Sequence, residues 1–341
     1  MARLEDVGEF ALIARLTHGL STRPDVALGV GDDAAALDLG ADHLLLATCD
    51  AQVSGRHFLE EVATPREIGH KALAVNLSDV AAMGGEPLWA LVSLIAPPDL
   101  DVAMIEGVYD GMRVLADRYH VAIVGGNISS TSGPLTLDIT ALGRVRRERM
   151  ITRAGARPGD AVLVTGNLGA GLAGLRAVTA PPGVTLPTQA LAEVRLRMTT
   201  PEPRVLEGQM LAATGMVTAM VDLSDGLAGD LAHICERSQV GALIDVAALP
   251  IAVATREIAA ALGADAEHYA LQGGDDYELL FTTAASDAPH VIAELAASGA
   301  IATVIGEITN SGLGMRLREK EGGTQPLIAR GWDHLAPTDD V

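Results

Sequence analysis

The chain has 341 residues, 49% of them hydrophobic but only 3% aromatic, and a formal net charge of −20. That length suits two domains of ordinary size, with cores built from Ala, Val, Leu and Ile rather than from large rings, and the composition is globular rather than disordered. The absence of a clustered Lys/Arg surface in the sequence argues against a nucleic-acid partner, because a phosphate backbone needs one.

The longest apolar run, Leu88 to Ala96, is well short of the roughly 20 residues that cross a bilayer, so no membrane span is expected. Met1-Ala2-Arg3-Leu4-Glu5-Asp6 carries acids where a secretory signal has a basic start and an apolar run. The two cysteines, Cys49 and Cys235, form no metal-type pair and are too few for a disulfide framework. A reducing, cytoplasmic location is the expectation.

Taken in chain order, Gly29-Val30-Gly31-Asp32-Asp33-Ala34 places two adjacent carboxylates after a tight turn, and an ordinary solvated turn is the plainer reading of that motif alone. A strand is predicted over His43 to Thr48, ending on Cys49 and Asp50, with His57 a few residues beyond. Thr64-Pro65-Arg66-Glu67 is a helix start with an acceptor, a proline in the first turn and a reciprocal acid, and the helix should run to about Met83. Asp79 interrupts this Ala/Val/Leu helix beside Asn76 and Ser78; a helix-surface Asp is usually only solvated. Further strands are predicted over Val121 to Val124 and Leu135 to Leu142. Between them, Gly125-Gly126-Asn127 reads either as a glycine-rich turn whose N–H groups cradle phosphate or as a hydrophilic loop.

A basic, turn-rich stretch from Arg144 to Asp160 separates two apolar-rich halves, and the domain boundary is placed near residue 150, dividing 1–150 from 151–341. The second half opens on a strand, Ala161 to Thr165, then a run of glycines to Gly174 that matches the dinucleotide fingerprint poorly and suits close helix packing. Asp222-Leu223-Ser224-Asp225-Gly226 ends a strand and starts a helix to about Ser238, and Gln272-Gly273-Gly274-Asp275-Asp276-Tyr277-Glu278 repeats the pattern of glycines before paired acids. Val75 to Asp79 and Val221 to Asp225 share Val-x-Leu-Ser-Asp, an echo between a predicted helix and a predicted strand end. The fold class is α/β, with α and β elements mixed.

Asp-Gly clusters spread over both halves predict a multi-metal cleft. All-oxygen donors suit Mg²⁺, whereas softer metals want His or Cys at spacings this chain lacks. An acidic cleft admits a polyphosphate only with divalent cations between them, which makes a metal-bridged nucleotide the natural ligand and phosphoryl transfer the natural chemistry. The phosphate loop Gly-x-x-x-x-Gly-Lys-Ser/Thr and the protein-kinase motif set do not occur.

Together these motifs resemble the thiamine-monophosphate kinase family, within the ATP-binding superfamily that includes aminoimidazole ribonucleotide synthetase, selenophosphate synthetase and the hydrogenase-maturation dehydratase. The likeness runs from Gly8-Glu9-Phe10 through Gly31-Asp32-Asp33, the Lys71-to-Met83 block and Arg153 to Asp160, to Gly273-Gly274-Asp275-Asp276-Tyr277-Glu278-Leu279. It implies an N-terminal domain whose strands pair with a second copy's in a dimeric β-barrel, a C-terminal α/β domain, and ATP in the cleft between them. The implied activity is ATP-dependent phosphorylation of thiamine monophosphate to thiamine diphosphate, with several Mg²⁺ ions. Asp33, Thr48, Asp50, Asp79, Asp222 and Asp225 match the family's magnesium positions, with Asp32 an adjunct and Asn127 in a metal-ligand position. Tyr109, Gly126, Arg153 and Ser224 match its ATP contacts, and His57, Asp275 and Trp332 its contacts with thiamine phosphate.

The chain departs from the family at three places. Gly125-Gly126-Asn127-Ile128-Ser129-Ser130 stands where Gly-Gly-Asp-Thr-Thr-Arg is typical, Cys49-Asp50-Ala51-Gln52 where Thr-Asp-Thr-Leu is, and Asp275 where Glu is. Two alternatives stay open: a related enzyme with another phosphate acceptor, and a nucleotide-binding homologue with reduced or no turnover.

Overall fold

In the computed structural model, residues 9–18, 23–40 and 42–329 are described, and Gly8 and Trp332 lie outside them. The first half forms α1 (Glu9–Thr17), β1 (Val26–Leu28), β2 (Ala35–Asp38), β3 (His43–Val53), α2 (Pro65–Ala82), β4 (Glu86–Ala96), α3 (Val102–Tyr119), β5 (Ala122–Ser130) and β6 (Thr136–Arg146). Its strands make one six-stranded sheet in the order β1-β2-β3-β6-β4-β5, antiparallel throughout except for the parallel β4–β5 pair. β1 and β5 are opposite edges, so the expected barrel is not closed among the described residues of a single chain.

The second half forms β7 (Asp160–Thr165), α4 (Ala170–Val178), α5 (Thr188–Thr199), α6 (Val205–Thr214), β8 (Val217–Asp222), α7 (Leu227–Ser238), β9 (Val240–Asp245), α8 (Val253–Ala261), α9 (Ala266–Gln272), β10 (Leu279–Ala284), α10 (Ala288–Ala297), β11 (Ala302–Asn310), β12 (Met315–Arg318) and β13 (Thr324–Pro326). Its sheet runs β13-β12-β9-β11-β7-β10-β8, antiparallel except for β12–β9. The close helix packing expected of the glycine run is present at Gly174, where a Cβ would come within 2.7 Å of the Val194 carbonyl of α5. Among the described residues no helix is long and apolar enough to cross a membrane.

The helix α2 organises the site. Thr64 caps it, accepting from the Glu67 N–H while the Glu67 carboxylate accepts from the Thr64 N–H at 2.7 Å, a reciprocal pair worth about 1 kcal/mol. From Ile68 to Ala82 every residue of α2 except the partly covered His70 and Asp79 is buried, so the helix is enclosed on nearly every face. Leu73, Leu77 and Ala81 pack with Leu137 and Ile139 of β6, while Ala82 packs with Leu211 and Phe281 of the second half. The second half also holds α2 and α3 by polar contacts: His70 Nε2 lies 2.8 Å from the Pro201 carbonyl, Arg195 pairs with Glu67 at 2.7 Å, and Arg118 pairs with Glu202 at 2.7 Å.

Strand alternation then decides what can meet α2. Along β3, Leu44, Leu46, Thr48 and Asp50 share one face, and the buried Leu44 and Leu46 show that it is the face under α2. Cys49 points to the other face, where its Sγ lies 3.0 Å from Asp138 Oδ1. The strand continues past Asp50 to Val53, so this acid lies inside it rather than at its end.

Candidate metal and nucleotide site

Three carboxylates from three elements converge. Asp33 precedes β2, Asp79 lies in α2 and Asp222 ends β8, and each offers an oxygen within 4.8 Å of the others. Thr48 Oγ1 donates to Asp79 Oδ2 at 2.5 Å, and Ser78 Oγ donates to Asp222 Oδ2 at 2.6 Å. Asn76 Oδ1 accepts from the Asp50 N–H at 3.0 Å, tying β3 to the same helix. Arg153 donates to Asp33 Oδ1 at 2.6 Å, and its N–H to Asp32 Oδ2 at 3.1 Å.

The electrostatics of this row are those of charges gathered out of water. Burial, then the negative charge of Asp50, Asp222 and Asp33, holds Asp79 well above the usual carboxylate range. Burial, then Asp33, pushes Asp222 up to about 8, and burial, then Asp33, raises Asp32 to about 6. Asp33 Oδ2 is buried and has no hydrogen-bond partner. An orphaned carboxylate oxygen among carboxylates is what a hard cation satisfies, and the donor set of carboxylates and one hydroxyl fits Mg²⁺.

Beside this row, Asp225, Asp230 and His233 bring a second trio of atoms within 4.8 Å. Burial, then Glu9, pushes Asp225 up to about 7, while burial, then Arg153, lowers His233 to about 4. Asp230 has a structural task as well, since its Oδ2 accepts from the N–H groups of Asp225 at 3.2 Å and Gly226 at 3.1 Å. Sequence reasoning passed over Asp230, whose signal is an acid in the first turn of a helix that starts on glycine.

Asp275 lies on the loop before β10. Its N–H donates to the Ser224 carbonyl at 2.9 Å, joining this loop to the one that carries Asp222 and Asp225. Lys71 of α2 donates to Asp275 Oδ2 at 2.7 Å and to the His57 carbonyl at 3.0 Å, so His57 and Asp275 are linked through it. His57 Nδ1 accepts from the Val53 N–H at 3.0 Å. Lys71 was not singled out in the sequence, although a lone Lys among Ala and Leu on a buried helix was the available signal.

Three expected residues do not join the row within one chain. Tyr109 packs on α3 against the first core, and Gly126 and Asn127 lie in β5. Gly125-Gly126 is therefore edge strand rather than a turn; a Cβ at Gly126 would fall 1.8 Å from the Val92 carbonyl of β4, so only glycine fits. The ladder pairs Asn127 with Ser93, Ser93 with Asp138 and Asp138 with Ala51. Directly paired residues share a face, so Asn127 lies on the Cys49 side of the sheet, away from Thr48, Asp50 and α2. Trp332 falls outside the described residues.

A mixed α/β fold of two domains is the class to which the family models assign this chain. Residues 31–145 match the N-terminal domain of AIR synthase related proteins, and residues 157–317 match their C-terminal domain. Among curated relatives, thiamine-monophosphate kinase from Escherichia coli is 39% identical over 96% of this chain and 98% of that protein, and the Bacillus subtilis one is 33% identical over 96% and 99%. Among solved structures, AaThiL complexed with AMPPCP and TMP aligns with a TM-score of 0.85 at 32% identity, covering 98% of this chain and 99% of that one. The chain belongs to the thiamine-monophosphate kinase family.

Proposed function

We propose that this protein transfers the γ-phosphoryl group of ATP to thiamine monophosphate, forming thiamine diphosphate and ADP. The observation that carries the reading is the meeting of Asp33, Asp79 and Asp222 at the junction of the two halves, in a chain whose relatives carry that name. The first unit, 1–150, contributes Asp33, Thr48, Asp50, Asp79, Tyr109, Gly126 and Asn127 and pairs with a second copy; the second, 151–341, adds Arg153, Asp222, Ser224 and Asp225. A cytoplasmic location goes with this activity.

Asp33, Thr48, Asp50, Asp79, Asp222 and Asp225 hold the magnesium ions, and Asn127 joins them from a second copy of the chain in a dimeric barrel. Bound magnesium neutralises charge on the phosphate oxygens of donor and acceptor. Tyr109, Gly126, Arg153 and Ser224 contact ATP, with Arg153 also keeping Asp33 in place through its 2.6 Å pair. His57, Asp275 and Trp332 meet the acceptor. Asp275 also lines a cavity of about 300 Å³ together with Arg204, Thr255, Asp276 and Glu278; its acidic lining suits the cationic thiazolium ring of thiamine.

An acceptor phosphate oxygen, already ionised near neutral pH, attacks the γ-phosphorus in line. The bond from that phosphorus to the β–γ bridging oxygen breaks, and ADP leaves with the electron pair. Positioning and charge carry the rate, and no general base is assigned. ADP release measured with magnesium, with and without thiamine monophosphate, tests the reading. Release that is independent of the acceptor, or absent, overturns it.

A further inference from the structure

We infer that Lys71 is a positioning residue for the phosphate acceptor, binding the acceptor-facing elements of the two halves into one unit. The inference rests on the reading above, in which His57 and Asp275 meet the acceptor. Lys71 sits in the buried run of α2 with its side chain only 6% exposed. An ammonium in such a place persists only when paired, and its two partners come one from each half of the chain: the His57 carbonyl and Asp275 Oδ2.

Asp275 depends on that contact. Its Oδ1 accepts from the Tyr277 hydroxyl at 2.9 Å and its Oδ2 from Lys71, so both oxygens are already engaged by the protein. The carboxylate is thus a fixed hydrogen-bond acceptor rather than a mobile base. The backbone here is strained: Asp275 has φ 67° and Tyr277 φ 51°, a left-handed conformation that an aromatic residue rarely adopts. Such strain persists where surroundings over-determine it and gathers at functional sites. Here the over-determination comes from the Asp275 and Tyr277 N–H groups on the Ser224 and Leu223 carbonyls at 2.9 and 2.8 Å, and from Lys71. Arg153 performs the corresponding service at the other end of the row, on Asp32 and Asp33.

The separation of ends gives the test. In Lys71→Met the KM for thiamine monophosphate should rise about tenfold or more, the consequence of losing a hydrogen bond to a charged group. The affinity for a non-hydrolysable ATP analogue with magnesium should change less than about twofold. Combined with Asp275→Asn, Lys71→Met should raise KM by less than the product of the two single effects, because Lys71 acts on the acceptor through Asp275. Hydrogen exchange, which needs no turnover, should quicken in segments 53–58 and 272–278 and not in β5. Lys71→Gln, which keeps a donor, gives the same pattern more weakly and serves if the Met variant does not fold. An unchanged KM with unchanged exchange overturns the inference. So does a fall in analogue affinity and melting temperature in step with KM, which marks a merely structural lysine. If the wild type does not phosphorylate thiamine monophosphate, the activity reading fails and the exchange measurement alone decides Lys71.

Discussion

Ser78 of α2 donates a 2.6 Å hydrogen bond to Asp222 at the end of β8, and through it the helix of one half holds the carboxylate of the other. Both residues are buried, Ser78 fully and Asp222 to 2% exposure. The two copies of Val-x-Leu-Ser-Asp thus meet: the serine of the first bonds the leading aspartate of the second, and Asp79 beside that serine shares a cluster with Asp222. A donor to the ionised carboxylate opposes the burial that pushes Asp222 up to about 8.

Ser78→Ala removes that donor and raises Asp222 further. A hydrogen bond to a charged group is worth about 1.5–3 kcal/mol and one pKa unit about 1.4 kcal/mol, so the acidic limb of the rate–pH profile should move up by roughly one unit. The profile is best recorded at magnesium below saturation, where the proton and the metal compete. A limb that does not move means the charge on Asp222 is not required for turnover.

Asp79→Asn keeps the shape of the side chain and removes one of the crowded charges. Activity should fall by at least the roughly 100-fold that losing an outer-shell partner of a metal site can cost. The melting temperature without divalent metal should hold or rise, because burial and the charges of Asp50 and Asp222 oppose ionisation of Asp79. Wild-type turnover in this variant contradicts the metal role, and loss of the folded state favours a structural one.

The same row makes the metal-free protein less stable as the pH rises. Asp222 and Asp225, at about 8 and about 7, bind protons in the folded state that the unfolded chain has already released. The slope of stability with pH is then negative across that interval. His70 and His233 are lowered by burial and act in the opposite sense, but only below the ordinary histidine pKa of about 6.5. Between about pH 6.5 and 8 the carboxylates therefore decide, with Asp276, raised by burial to about 7, adding to the fall from outside the metal row, and thermal melts in chelator should show a falling midpoint that saturating magnesium makes shallower. A midpoint that rises over that window rejects the acidic row as its cause.

Local signals served well where a single element carries them. The capping box at Thr64 placed α2, and strand ends at Thr165 and Asp222 followed from short apolar runs closing on polar residues. What depended on pairing between distant strands was not legible. Gly125-Gly126 resembles a turn until β4 is alongside, and the face that Asn127 occupies is decided by a ladder through Ser93 and Asp138. Register is a long-range property. Lys71 and Ser78 were hidden for the same reason, since the partners that give them meaning lie 204 and 144 residues away.

Asn127 supplies the test that joins assembly to chemistry. The edge strand β5 is exposed, with Val124 at 56% and Ile128 at 78%, and Trp89 and Leu91 of the neighbouring strand are 41% and 39% exposed. An unpaired apolar edge invites a second copy, and light scattering at micromolar concentration should report a dimer. If the dimer brings Asn127 to the metal site of its neighbour, Asn127→Asp adds a charge at the ion and should lower the magnesium needed for half-maximal rate about tenfold for each 1.4 kcal/mol gained. Mixing variants separates the two routes. Asp79→Asn damages the site of its own chain, and Asn127→Lys damages the site of the neighbour if contact runs between chains. After the two inactive proteins are unfolded together and refolded, half the dimers are mixed and one site in each is intact, so activity should return to about one quarter of wild type. No recovery, with each variant still a folded dimer, places Asn127 in its own chain's site, and an Asn127→Lys protein that is active before mixing places it in none. An unchanged magnesium requirement in Asn127→Asp then removes it from the metal residues altogether.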